Sequence, residues 1–386
     1  MKYTSTIKGS LLLTLVCCNP VFAEYQYQLT DNQQIQISGY VGYQYLFSDN
    51  KITNTYDGNG QPQLGTNIIY SNGDNFQIFN QFRYGENIDQ ILVYNFLQYR
   101  FDINNNTSLT VQGGKIRYDV GLYNKTRINP ITRRGIIQPE AIYWSALNEF
   151  MISGTGIGIS LKHKDVELSA IVDKPTINDK YENQRVLWAG LTDDVDVTFG
   201  SHYVISLDYT SSSIPLRTTS SYAHINMGKV GSKVSDYLYP EFVGKDITGE
   251  QIAFGVEYKI HNDILLAGET MWFLAYPQEW IHDWNDVSKG YSLSATYTIT
   301  DYMDIRLNYN RTDATKLKVN TFRAAPWMGK REDINLGLNL HHDGWTFQTE
   351  GHYIQGGRTM DPLDTKGNAP DYKNWWMVGV SLVYSF

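Results

Sequence analysis

The chain has 386 residues and a formal charge of −8, from 40 acidic against 32 basic side chains, a balance that argues against nucleic acid as a partner because phosphate recognition recruits basic surfaces. It carries 29 Tyr, 9 Trp and 15 Phe at a mean hydropathy of only −0.37. Aromatic abundance without overall hydrophobicity fits strands that alternate an apolar with a polar face, and excludes a chain of apolar membrane helices.

Residues 1–23 read as a secretory signal peptide: Lys2 and Lys8 precede an apolar run from Leu11 to Val16, and Val21, Phe22 and Ala23 form the cleavage pattern. That run is shorter than the roughly 20 residues a membrane helix needs, and no later stretch is longer. Removing the segment takes away two lysines and no acid, from −8 to −10, and both cysteines, Cys17 and Cys18. Val16 is too large for the residue that normally precedes a lipidated cysteine. Residues 24–386 are then a single domain with no thiol for a disulfide, a metal or nucleophilic catalysis.

Residues 24–33 read as an exposed leader. Ile35, Ile37, Val41, Tyr43, Tyr45 and Phe47 then alternate with Gln34, Gln36, Ser38 and Gln44 as a first strand. Seven strand pairs follow, at 64–72 with 75–84, 90–101 with 108–118, 154–162 with 166–174, 202–210 with 216–227, 247–260 with 264–276, 290–299 with 304–312, and 333–341 with 345–355. A closing strand at 374–386 brings the number to sixteen; the weak alternation of 64–72 leaves fourteen and eighteen as alternatives. Turns within pairs are compact, as at Asn104-Asn105-Asn106, His163-Lys164-Asp165 and His342-Asp343-Gly344. The connections between pairs are longer, notably 118–153, 175–200 and 360–373, and such asymmetry places turns on one side of a barrel and loops on the other.

Register follows from cost, because an Arg or Lys facing lipid at the midplane costs about 2–4 kcal/mol. In 251–260 the lipid set is Ile252, Phe254, Val256, Tyr258 and Ile260, which turns Glu257 and Lys259 inward and predicts that Gly255 accepts a lumenal arginine. The same logic turns Asp208, Arg306 and Glu350 inward. One strand conflicts: strict alternation puts Lys115 and Arg117 on the face of Leu109 and Val111, so a β-bulge is expected at Gly113-Gly114, sending Ile116 and Tyr118 to lipid.

The closing strand ends on Phe386, Tyr384, Leu382, Val380, Val378 and Trp376 along one face. It resembles the last strand of Gram-negative outer-membrane proteins, in which Phe386, Tyr384 and Leu382 match the signal read by the barrel-assembly machinery. The resemblance implies an all-β, membrane-spanning antiparallel barrel in the outer membrane, in contact with its lipid and lipopolysaccharide.

The basic residues Lys115, Arg117, Lys125, Arg127, Arg133 and Arg134 stand against the single acid Asp119 between residues 115 and 139, a local +5 in an acidic chain. Gly114, Lys115, Arg117, Tyr123, Pro139 and Tyr143 resemble a poorly characterised proteobacterial group of porin-like proteins, in which a basic strand end enters a third loop with Pro and Tyr. The architecture also resembles the general trimeric porins, whose third loop narrows the pore. The resemblance implies a homotrimer and a passive channel for small hydrophilic solutes, with the six cations at the constriction. They would face the lumen-lining acids Asp208, Glu257, Glu269 and Glu350, and charged walls of this kind select ions by sign. Two alternatives stay open: the basic segment is an exterior loop, or the barrel is occluded and binds a surface partner. A hydrolase is the weakest reading. His341-His342-Asp343 sits at a turn, Glu350 and His352 are one acid-base spacing among lumenal polar residues, and no nucleophile motif, metal motif or cofactor motif occurs.

Overall fold

Alternation on this scale can satisfy every backbone amide in lipid only by closing on itself, and the chain does so. The structure is a computed structural model that describes residues 25–48, 60–85, 92–127, 129–139, 141–143, 152–175, 200–229, 245–277, 287–313, 330–356 and 374–386. The expected signal peptide and most of the expected long connections lie outside the described residues. Seventeen strands are formed among them: β1 Tyr25–Thr30, β2 Gln33–Ser48, β3 Gly60–Asn72, β4 Phe76–Gly85, β5 Leu92–Asn104, β6 Thr107–Arg117, β7 Ser153–His163, β8 Val166–Pro175, β9 His202–Thr210, β10 Leu216–Lys229, β11 Asp246–His261, β12 Ile264–Pro277, β13 Ser288–Thr300, β14 Met303–Asp313, β15 Lys330–His342, β16 Trp345–Gln355 and β17 Asn374–Ser385. From β2 to β17 each strand pairs antiparallel with the next, and β17 pairs back onto β2, closing a sixteen-stranded barrel. No described helix is long and apolar enough to cross a membrane, which says nothing against crossing by strands.

Every expected strand is present within a few residues of its expected ends. The compact turns pass through positive φ at Asp343 (φ 45°) and Gly344 (φ 83°), and Lys164 also turns with positive φ (51°). The two faces separate as the cost argument requires. Phe254, Ile159 and Leu307 are 47, 47 and 53% exposed on the outside, whereas Glu257, Arg306 and Glu350 are buried on the inside.

The leader is exposed as expected, and it also forms a strand: β1 pairs with Ile37–Gln33 of β2, along the edge that β17 occupies only as far as Gly39. β2 is longer than β17, and β1 supplies partners to backbone groups that would otherwise form an open edge.

No bulge forms at Gly113-Gly114. Both ladders of β6 run through it without a shift, pairing Gly114 with Phe96 and with Gly156. Gly114 instead absorbs the conflict with φ +127°, beside the Asn95 carbonyl, where a side chain could not fit. Ile116 and Tyr118 consequently point inward and are buried.

Gly255 does face inward, but its Cβ would lie 2.6 Å from Leu122. An arginine there would have to displace the loop, so the expected tolerance is wrong although the register is right.

Candidate pore constriction

The described part of 118–143 lies inside the barrel, fixed to two separate stretches of its wall. On the β11–β12 side, Glu269 Oε1 accepts the Leu122 amide at 2.7 Å and the Tyr143 hydroxyl at 2.6 Å, and that hydroxyl accepts the Tyr123 amide at 2.7 Å. Glu257 Oε2 accepts the Tyr123 hydroxyl at 2.8 Å and pairs with Arg134 at 3.0 Å. Burial, reinforced by these carboxylates, pushes both phenols well above their ordinary range, so they remain donors. On the β16 side, Glu350 accepts the successive amides of Ile136 and Ile137 at 3.1 and 2.6 Å. The same carboxylate meets Arg306 at 2.9 Å and His352 at 3.1 Å, and Asp333 holds the other ring nitrogen of His352 at 3.0 Å. Glycine at 135 permits this seat, since a side chain there would strike the Arg306 guanidinium.

The six predicted cations do not form one wall. Lys115 stands on the outer face, laterally between exposed Asn95 and Thr155, and reaches up to the Leu92 carbonyl at 2.8 Å. Its expected place at the constriction is therefore wrong, because the bulge that would have turned it inward is absent. Arg117, the last residue of β6, shares the parity of Lys115, yet its guanidinium lies 5.1, 5.4 and 6.0 Å from the rings of Phe79, Tyr94 and Phe96, a cation-π seat. Lys125 pairs with Asp119, and Arg127 is buried over the Tyr143 ring at 5.4 Å. Arg133 donates to Gln44 at 2.6 Å; burial pulls it down to about 10, which leaves it charged at neutral pH.

Of the predicted acids, Glu257, Glu269 and Glu350 meet the loop directly. Asp208 pairs instead with Arg217 at 3.4 Å, and Arg217 donates to the Leu122 carbonyl at 3.2 Å. His341 and His342 part: the first faces Asp304 at 3.3 Å, the second lies exposed beside Asp343.

Sequence reasoning missed Arg83. It faces inward from β4, opposite Gly65, with Tyr40 on the far side of that glycine. The alternation of Arg83 between Phe82 and Tyr84 was the signal that could have found it.

No protein-family model matches the chain, and no curated protein matches it. Solved structures do. OmpT, an outer-membrane protein of Vibrio cholerae, superposes with a TM-score of 0.59 at 11% identity over 93% of this chain and 99% of that one. The anion-selective porin of Comamonas acidovorans gives 0.59 at 12% over 92 and 100%, and OmpF of Salmonella typhi 0.58 at 11% over 94 and 100%. The fold is the porin-like β-barrel. At these identities the likeness is one of architecture, and residue roles rest on the geometry above.

In this porin-like barrel Glu350 holds two successive loop amides while pairing with Arg306 and His352. Glu350→Gln would leave Arg306 and His352 facing a neutral amide, and breaking a buried pair costs about 3–5 kcal/mol. Urea unfolding of the detergent-folded variant should show a loss of that order; an unchanged midpoint would mean the cluster does not hold the loop.

Proposed function

We propose that the chain is a passive diffusion channel of a Gram-negative outer membrane, narrowed by 118–143 and leaning toward anions. The observation that carries this reading is how the lumenal charges are used. Glu257 and Glu350 are each matched by arginine, and Glu269 is occupied by loop donors. By contrast Arg83, Arg117 and Arg133 form no ion pair among the described residues; Arg117 rests on aromatic rings and Arg133 on an amide oxygen. In a confined path with walls of low dielectric, unmatched local charge outweighs the acidic total. Sieving by width and selection by sign then require no covalent chemistry and no cofactor. Small hydrophilic solutes are the cargo, and the trimer implied by the resemblance is read from the mass of the detergent-extracted oligomer. That an OmpT of Vibrio cholerae was solved in a trimer form concerns that protein.

The test is the reversal potential in a salt gradient. Arg133→Gln should move it toward cations, and the shift should shrink as ionic strength rises. Arg100→Gln, an exposed residue paired with Asp102, should do little. An unchanged potential in a conducting Arg133 variant would remove that residue from the ion path.

A second reading, an occluded barrel that binds a surface partner, is favoured by one observation. The lumenal residues Gln348, His352, Met377 and Ser381 of β16 and β17 are almost fully buried. Absence of conductance from correctly folded protein would establish it.

A further inference from the structure

Tyr40, Gly65 and Arg83 lie side by side on the inner faces of β2, β3 and β4. A side chain at Gly65 would collide with the Tyr40 ring, so glycine lets the phenol lie across β3 toward Arg83. Gln63 and Gln81 occupy the same face one step to either side, at Gln63↔Gly85 and Asn67↔Gln81. Arg133 approaches from the loop and donates to Gln44 Oε1, which also accepts Gln63 at 2.8 Å.

Among the described residues, four buried atoms of this patch have no hydrogen-bond partner: Nε of Arg83, Nε of Arg133, and the side-chain oxygens of Gln63 and Gln81; the Tyr40 hydroxyl turns toward the Arg83 guanidinium. Tyr40, Gln63, Gln81 and Arg133 are 1, 5, 7 and 8% exposed. Buried polar groups are as a rule paired, and an unpaired set calls for water or an ion to serve it. Here the donors are two guanidinium groups and a phenol, and the acceptors are two amide oxygens. An anion answers the donors through charge-assisted bonds. Only an anion that keeps a proton also answers the acceptors.

We propose that this wall is a discrete binding site for a small, partly protonated oxyanion of the hydrogen-phosphate type. Arg83 and Arg133 would clamp its charged oxygens, Tyr40 would donate to it, and Gln63 or Gln81 would accept its proton. The site deepens the anion-leaning reading by naming a ligand class, and it does not require an open pore. Binding to folded protein in detergent and permeation across a bilayer can therefore fail independently.

The full chain, folded in detergent, is titrated with sodium phosphate against sodium chloride at matched ionic strength and pH 7, following calorimetric heat and the thermal midpoint. Wild type should bind phosphate saturably and rise in midpoint beyond the chloride control. Arg83→Gln and Arg133→Gln should each weaken binding by roughly tenfold or more, Tyr40→Phe less, and Arg100→Gln not at all. Were Arg133→Gln to misfold, Arg83→Gln and Tyr40→Phe decide alone. No saturable effect of phosphate over chloride, or equal binding by wild type and Arg83→Gln, would show that water serves these atoms and would overturn the proposal.

Discussion

Deleting Phe386 should reduce folded barrel in the outer membrane far more than it reduces export. The residue is the last rung of the seam: its amide donates to Gly39 at 3.0 Å and its carbonyl accepts from Gly39 at 2.7 Å. Its ring also covers Gly39, where a Cβ would stand 2.7 Å from the ring edge. Without it, the β2 edge between the end of β17 and the start of β1 is left open, and open backbone in or near lipid is costly and invites mispairing. Gly39→Val should produce a related defect by evicting the ring while keeping the terminal residue. Heat-modifiable protein in outer-membrane fractions measures both. Wild-type levels after deletion of Phe386 would contradict its part in closure.

Ile159→Arg should prevent stable insertion, whereas Ser160→Arg should be tolerated. The two residues are neighbours on β7; Ile159 is 47% exposed on the outer face between Ile157 and Leu161. Ser160 pairs laterally with Thr110 and Ser169 on the inner face, and Ser169 reaches Asp119. An arginine facing lipid there costs about 2–4 kcal/mol, while one facing inward lies near an acid and polar groups. Folded yields in lipid vesicles separate them, and equal yields would mean that the register is wrong.

Strand positions and register were legible in the sequence because both rest on period-two alternation and on turn residues, which are local. Phe254 and Glu257 were assigned to opposite faces on cost alone, and the assignment agrees with their exposure. Local reasoning failed at Gly113-Gly114. Two glycines are compatible either with an inserted residue or with a positive φ at constant register, and only the lateral partners Phe96 and Gly156 decide between them. β1 was missed because its polar positions, Gln26 and Gln28, gain meaning only once β17 proves too short to cover β2. The loop's anchors were the least legible part. Glu257, Glu269 and Glu350 were singled out as inward acids, yet Arg134, Leu122 and Ile136 are 123, 147 and 214 positions away from them. Nothing in the intervening sequence encodes which carboxylate meets which donor. That pairing changes the electrostatics, because acids expected to face the cations across a pore are largely spent on holding the loop.

The most direct test is a planar-bilayer recording of the wild-type protein in a salt gradient, using preparations whose heat-modifiability shows a folded barrel. Steady conductance is expected, with a reversal potential displaced toward anions and less so at high salt. Folded protein that conducts nothing, or conducts with the cation preference that its acidic total would suggest, would contradict it.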